Sequence, residues 1–185
     1  MPVTYETLRP TAYAIIPDTG RATLAKSLAM RRLYLAIGVG DPAWDAPDAV
    51  LPSLKSATGL HAEIGRRAVT STGFVVVDEA GDIVVPGGIG SDGAVLEARY
   101  RLVQHATPYL YLRTNFDYSD ARNSTLREIA LFADSVIRAE LPPGQRYFEP
   151  ADIVEQGDLI AVQILPDNLN RTYAVRQTNE WVLLI

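Results

Sequence analysis

Two histidines, His61 and His105, are the side chains of this 185-residue sequence best suited to proton transfer or metal binding. They stand in separate segments, and neither has the His-x-x-x-His spacing that puts two imidazoles on one helical face. There is no cysteine, which removes thiolate zinc sites, cysteine nucleophiles and disulfides together. Ser71, His105 and Asp117 supply the residue types of a hydrolytic triad, but no Gly-x-Ser-x-Gly elbow presents the serine. Three carboxylate pairs, Asp78/Glu79, Asp117/Asp120 and Glu149/Asp152, offer the groups a glycosidase needs. Each falls at an expected turn, where Asp and Glu serve the backbone. Glu128 opens an apolar strand and reads as a buried, paired carboxylate. The expectation is no catalytic residue, no metal ligand set and no cofactor.

Nucleic-acid binding fares no better. Arg31-Arg32 and Arg66-Arg67 are the adjacent basic pairs, and the net charge is -5. Phosphate contact needs such pairs joined into a stripe with aromatic platforms. The run Gly87-Gly88-Ile89-Gly90-Ser91-Asp92-Gly93 lacks the lysine of a phosphate-binding loop and reads as a flexible link. The N-terminus lacks a basic start and apolar core, and no apolar run reaches the roughly 20 residues that span a bilayer. The expectation is synthesis in the cytoplasm, with no membrane and no nucleic acid as partner.

The elements around these residues are mostly strands. Composition is ordinary for a globular chain, with 48% hydrophobic and 21% charged residues. Pro2, Pro10 and Pro17 make residues 1–17 an extended arm. Asp18 or Thr19 can cap a helix reaching about Arg32, with Leu24, Ala25 and Leu28 on its buried face. Leu33 to Ile37 reads as a buried strand stopped by Gly38 and Gly40. An irregular insertion follows over about 40–56, containing Trp44. A helical turn is expected at 57–65, then a strand over about 67–78, hairpinned through Asp78-Glu79-Ala80-Gly81 to 82–86. Val95–Val103 is expected to pair with Tyr109–Tyr118. Further strands are read at 127–133, 159–165, 171–177 and 180–185, with a second insertion at about 138–158. The fold class is mainly β (α+β): an antiparallel β-sandwich-like domain over 18–185, with one N-terminal helix and long irregular insertions.

Contact with another chain is suggested by two apolar surfaces. Tyr13, Ile15 and Ile16 are costly to leave in water on an arm. In the strand from Tyr109, alternation puts Leu110, Leu112, Thr114 and Phe116 on one face, suited to a core. Tyr109, Tyr111 and Arg113 lie on the other, aromatic and charged, as interfaces are.

Four strings then resemble, in order, segments of the tail-collar fibre (fibre-attachment) domain of contractile-tail bacteriophages. They are Gly20–Lys26 leading into Leu35-Ala36-Ile37-Gly38-Val39-Gly40-Asp41, Leu60-His61-Ala62-Glu63-Ile64-Gly65-Arg66-Arg67, Arg127-Glu128-Ile129-Ala130-Leu131-Phe132, and Asp158-Leu159-Ile160-Ala161-Val162. Ala130 stands in place of that family's usual glycine, and the strand from Tyr109 and the 138–158 insertion depart from its pattern. With no fibre shaft after Ile185, the chain resembles the attachment domain alone. The resemblance implies a structural component of the virion, in the tail or baseplate. Its expected partners are other tail or baseplate proteins and tail fibres, in a symmetric homo-oligomeric assembly. The alternative is a carbohydrate-binding β-sandwich module stacking sugars on Trp44, Tyr109 and Tyr111. A small hydrolase built on the carboxylate pairs ranks behind both.

Overall fold

The computed structural model describes residues 14–89, 95–172 and 174–185. Helix α1 spans Asp18–Ala29, after an extended Pro17 that provides no side-chain cap. Asp18 in the first turn and Lys26 in the last complement the helix dipole instead. Ala25 is fully buried, with Leu28 and Ala29 packed beside it, while Leu24 is exposed. The buried stripe is thus narrower than expected, because α1 lies against the end of the sandwich with its smallest residues. The helix stops before Arg32, whose backbone N–H donates to the Asp134 carboxylate at 3.0 Å.

Twelve strands follow: β1 (Leu33–Gly38), β2 (Glu63–Ala68), β3 (Ser71–Val77), β4 (Ile83–Ile89), β5 (Val95–Val103), β6 (Tyr109–Phe116), β7 (Thr125–Ala133), β8 (Val136–Ile137), β9 (Tyr147–Phe148), β10 (Ile153–Glu155), β11 (Asp158–Asn170) and β12 (Gln177–Leu184). They form a first sheet in the order β11-β7-β1-β2-β9, a second in the order β12-β6-β3-β5-β4, and a small β10-β8 ribbon. Every pairing is antiparallel. The fold is the mainly β, antiparallel sandwich-like arrangement with one N-terminal helix that the sequence indicated. Leu33, Leu35, Ile37, Ile129 and Leu131 of the first sheet meet Leu110, Leu112 and Phe116 of the second. These inward sets follow from the period-two alternation of a half-buried strand. β1 is buried along its whole length, because Ala36, Ala130 and Phe132 on its other side are covered by Leu60, Leu159 and Val162. No helix among the described residues is long and apolar enough to cross a membrane.

Several expected elements are redrawn. The turn at 57–65 is partly strand: β2 begins at Glu63, with Gly65 opposite Ile37. Pairing with a fully buried neighbour outweighs one isolated helical turn. The strand expected at 67–78 is two strands in different sheets. The Val69 N–H still donates to Leu33 in the first sheet, and the Thr70 N–H already donates to Arg113 in the second.

Both expected hairpins of the second sheet are opened by an intervening strand. β5 lies between β3 and β4, and β3 lies between β5 and β6. The Asp78–Gly81 turn still forms, with the Gly81 N–H donating to the Asp78 carbonyl at 2.8 Å. A side chain at Gly81 would overlap the Tyr100 backbone, so the turn seats directly on β5. Thr107 secures the crossover from β5 to β6 by donating its hydroxyl to the Val75 carbonyl at 2.7 Å. Finally, of the strand expected at 171–177, the described residues 171, 172 and 174–176 lie outside any strand and Gln177 begins β12. β11 runs on to Asn170 through an irregular register between Ile164 and Leu169, and Arg171 is buried at the crossing to the second sheet.

The two irregular stretches read from sequence hold short elements. Residues 40–56 contain 3-10 turns at Pro42–Asp45 and Leu54–Ser56. The stretch at 138–158 contains β9, a 3-10 turn at Pro150–Asp152, and β10. Of the arm at 1–17, residues 14–17 are described; Tyr13 lies outside the described residues, as do 90–93 of the glycine-rich run.

Candidate assembly interface

Buried polar ties hold the outer side of the first sheet. Glu128 on β7 is 3% exposed and accepts the backbone N–H groups of His61 at 2.9 Å and Ala62 at 2.7 Å. Its neighbour across β1 is Gly38. Arg66 on β2 is 1% exposed and grips Glu63 through two hydrogen bonds of 2.8 and 2.7 Å. It also donates to the Ser135 hydroxyl and the Gln156 carbonyl, and its guanidinium lies 4.0 Å from the centre of the Phe132 ring. A buried guanidinium persists where its charge and donors are met in this way. Asp45 anchors the loop after β1: it accepts from Arg127 at 2.8 and 2.7 Å and from Asn168 at 2.9 Å. The Arg127 hydrogen bonds, and then that of Asn168, lower its carboxyl to about 2.

The outer face of the second sheet is different in kind. Register places Leu184, Tyr109, Val75 and Leu102 in one row across β12, β6, β3 and β5. Val75 is fully buried beneath neighbouring side chains, whereas Leu184 is 61% and Leu102 52% exposed at the two ends. Val77 and Leu96 add exposed apolar surface on the same face. Between them the sheet coils until its outer strands β4 and β12 come together, and Ile83, Val85, Val75 and Tyr111 form a separate small core.

Tyr111 therefore lies inside the chain and not on an open face. It is 7% exposed, and its hydroxyl donates to Glu180 at 2.6 Å. Burial, then the Glu180 carboxylate, push its ionisation well above the usual tyrosine range. Tyr109 is half-buried beside Tyr100, and Arg113 is exposed, 3.9 Å from Glu180. Ile15 and Ile16 are 85% and 53% exposed ahead of α1. Alternation found the face of β6 correctly. It did not reveal that the coiled sheet supplies a second core on that side.

The residues suited to catalysis are scattered. His105 follows β5 and Asp117 follows β6, so the length of β6 separates them, while Ser71 pairs with Arg113. His61 stacks obliquely on Trp44 with ring centres 5.4 Å apart. Trp44 belongs to the loop after β1, away from Tyr109 and Tyr111, and forms no row with them. The carboxylate pairs serve their turns: Asp78 binds Arg101 at 2.9 Å and the Ala80 N–H, and Glu149 and Asp152 make a reciprocal cap. Asp120 binds Arg67 and accepts the Asp117 N–H, and Asp117 pairs with Arg176 at 3.0 Å. Both adjacent arginine pairs are drawn into the fold, through Arg31 to Asp134 and Asp158, Arg66 to Glu63, and Arg67 to Asp120. Among the described residues, no group of three or more His, Asp or Glu side chains could hold a metal ion.

A family model described as baseplate wedge 3 tail fiber network component matches residues 13–185. The chain belongs to that family. It is a structural baseplate component of the bacteriophage tail fibre network, which locates it in the virion tail. No curated protein matches the chain. In this baseplate component, the four strings that resemble the tail-collar fibre domain fall on the four adjacent strands β11, β7, β1 and β2 and their approaches. Three of those strings meet at Glu128, which faces Gly38 and binds the backbone at His61 and Ala62. The second sheet carries none of them, and the two ends of its apolar row are exposed. Sequence reasoning did not single out Arg171, Glu63 or Thr107. The partners of Arg171 and Thr107 include residues of distant elements, and Glu63 pairs with Arg66 within β2, where no apolar alternation marks a buried ion pair.

Proposed function

We propose that this baseplate component uses its two sheets for different tasks. The first sheet is the buried, polar-tied scaffold of the family fold. The outer face of the second is the contact surface through which the protein joins neighbouring tail or baseplate chains and mounts tail fibres. The supporting observation is the cross-strand row Leu184–Tyr109–Val75–Leu102, whose ends are exposed outside the sandwich core. Leu184 and Leu102 at its ends, with Val77 and Leu96 on the same face, stay exposed at a cost that a partner's surface relieves. Ile15, Ile16 and Arg113 extend the contact set, as does Tyr13, with several copies arranged in a symmetric assembly. Tyr111, on the same face, packs beside Val75 and supports the row from within the small core. The protein acts by occupying a position, without turnover.

The test is a Leu102→Asp/Leu184→Asp variant supplied to a producing phage that lacks the gene. The purified variant is expected to keep its circular dichroism spectrum and melting temperature, because both positions are already wet. Tails made with it are expected to lack the protein and its fibres. Complete, fibre-bearing tails that incorporate the variant would overturn the reading. So would hydrolysis of glycan, ester or peptidoglycan substrates that is lost on substitution of His61, His105, Asp117 or Glu128.

A further inference from the structure

A second surface has a different chemistry and lies beside the β6–β7 connection, residues 117–124. That connection is unusually constrained. Ala121 and Asn123 both hold positive φ, 49° and 56°, a conformation that costs a residue with a side chain. Three arginines from other elements hold it. Arg67 binds the Asp120 carboxylate, Arg176 binds the Asp117 carboxylate at 3.0 Å, and Arg171 donates to the Asp117 and Asp120 carbonyls at 2.6 and 3.3 Å. Arg171 is 3% exposed, its Nε has no hydrogen-bond partner, and its donors meet only uncharged oxygens. A buried cation thus stands behind the loop, with both loop carboxylates already engaged by other arginines.

In front of the loop is a cleft of about 570 Å³. Arg122 and Arg146 line it and are exposed, and neither makes an ion pair among the described residues. The cleft continues past Gln145 and Arg146 into a second one of about 570 Å³, where Arg32 is likewise exposed and without an ion pair. The two clefts share Gln145 and Arg146, so three guanidiniums without an ion pair among the described residues lie along one path, Arg32 near Asp134, whose carboxylate Arg31 already engages. Glu149 is the acidic group of the first cleft that no arginine engages.

We infer that this path binds a carboxylate-rich extended segment of a partner protein in the tail. Guanidiniums recognise carboxylates through paired, directional hydrogen bonds. The strained loop, fixed in advance, spares the entropy of ordering the site. Two confluent clefts suit an extended polypeptide better than a single small anion. The net charge of -5 repels acidic chains elsewhere, so the path selects where such a segment can settle. This surface is separate from the apolar row of the second sheet, and either assignment can fail without the other.

The test uses the full chain and a fluorescein-labelled peptide of alternating glutamate and glycine, read by anisotropy. Expected is saturable binding that weakens as salt rises. Arg122→Gln/Arg146→Gln should lower affinity at least tenfold at an unchanged melting temperature, with Arg122→Lys/Arg146→Lys falling between. Arg138→Gln, outside both clefts, should bind like the parent. The inference is overturned by absent binding, by equal binding of the double glutamine variant, by equal binding of a lysine–glycine peptide, or by displacement with inorganic phosphate at matched ionic strength.

Discussion

The carboxylate of Glu128 fills the space that a side chain at Gly38 would need. An added Cβ at Gly38 would overlap that carboxylate and lie 2.8 Å from the Ala62 carbonyl oxygen. The glycine on β1 is thus required by a buried acid on β7 that holds the chain entering β2. Gly38→Ala should destabilise the protein by about 2–4 kcal/mol, through displacement of Glu128 from two backbone donors. Glu128→Ala should cost a similar amount, and the double variant less than the sum, since both break one arrangement. Urea denaturation of the four species measures the coupling, and strict additivity would contradict it.

Tyr111 separates packing from contact. Tyr111→Phe keeps the ring and loses the hydrogen bond to Glu180, a cost of about 1 kcal/mol. Tyr111→Ala empties the small core with Val75, Ile83 and Val85, a cost of about 3–5 kcal/mol. Thermal denaturation should therefore rank parent, Phe and Ala in that order. Loss of assembly by the Ala variant at full stability would refute the internal placement.

Arg66 and Glu63 should behave as a unit. Arg66→Ala leaves a half-buried carboxylate without its cation and should cost about 3–5 kcal/mol. Replacing both residues with Met should cost far less, because packed apolar side chains replace a desolvated pair. A double-mutant cycle in denaturant checks this, and equal losses in the single and double variants would count against it.

The sequence made the first sheet largely readable. Continuous apolar runs such as Leu33–Ile37 and Ile129–Ala133 mark strands buried on both sides, whichever neighbours they acquire. The inward face of β6 was equally plain from Leu110, Leu112 and Phe116. What alternation cannot encode is the neighbour. It assigns a side chain to a face, and Val75 would look the same whether β4 or β5 lay beside it. For that reason local pattern predicts two simple hairpins where the second sheet interleaves its strands. The proposed contact surface is half legible: alternation puts half-buried Tyr109 and exposed Arg113 on its face, but Leu102 and Leu184 join the row only through a register that no short string contains. The basic path was hidden for the same reason, since Arg32, Arg122 and Arg146 are far apart in the chain.

Asp45 gives the loop after β1 a pH dependence. Its carboxyl is lowered to about 2, below the roughly 3.9 of an unfolded chain. A depressed acid contributes its stabilisation fully above the unfolded value and loses it as pH falls through the folded one. Between about pH 4 and pH 2 the Arg127 and Asn168 contacts should therefore release, and amide protection factors over Ala43–Asp45 should fall. In Asp45→Asn, protection factors there should be lower at neutral pH and constant across that window. An unaltered pH profile in the variant would rule the tie out.

The interleaving of β3 between β5 and β6, with β12 beyond β6, imposes an order in time. Chains are made from the N-terminus, yet β3 gains neither neighbour until later strands exist, and the outer row awaits β12. The first sheet likewise waits on β7 to flank β1 and on β11 to flank β7. A polypeptide interrupted before β12 would carry apolar strands with bare edges and no complete contact row. On the proposed contact surface, only a chain synthesised through β12 would carry the Leu184 end of the row into the baseplate.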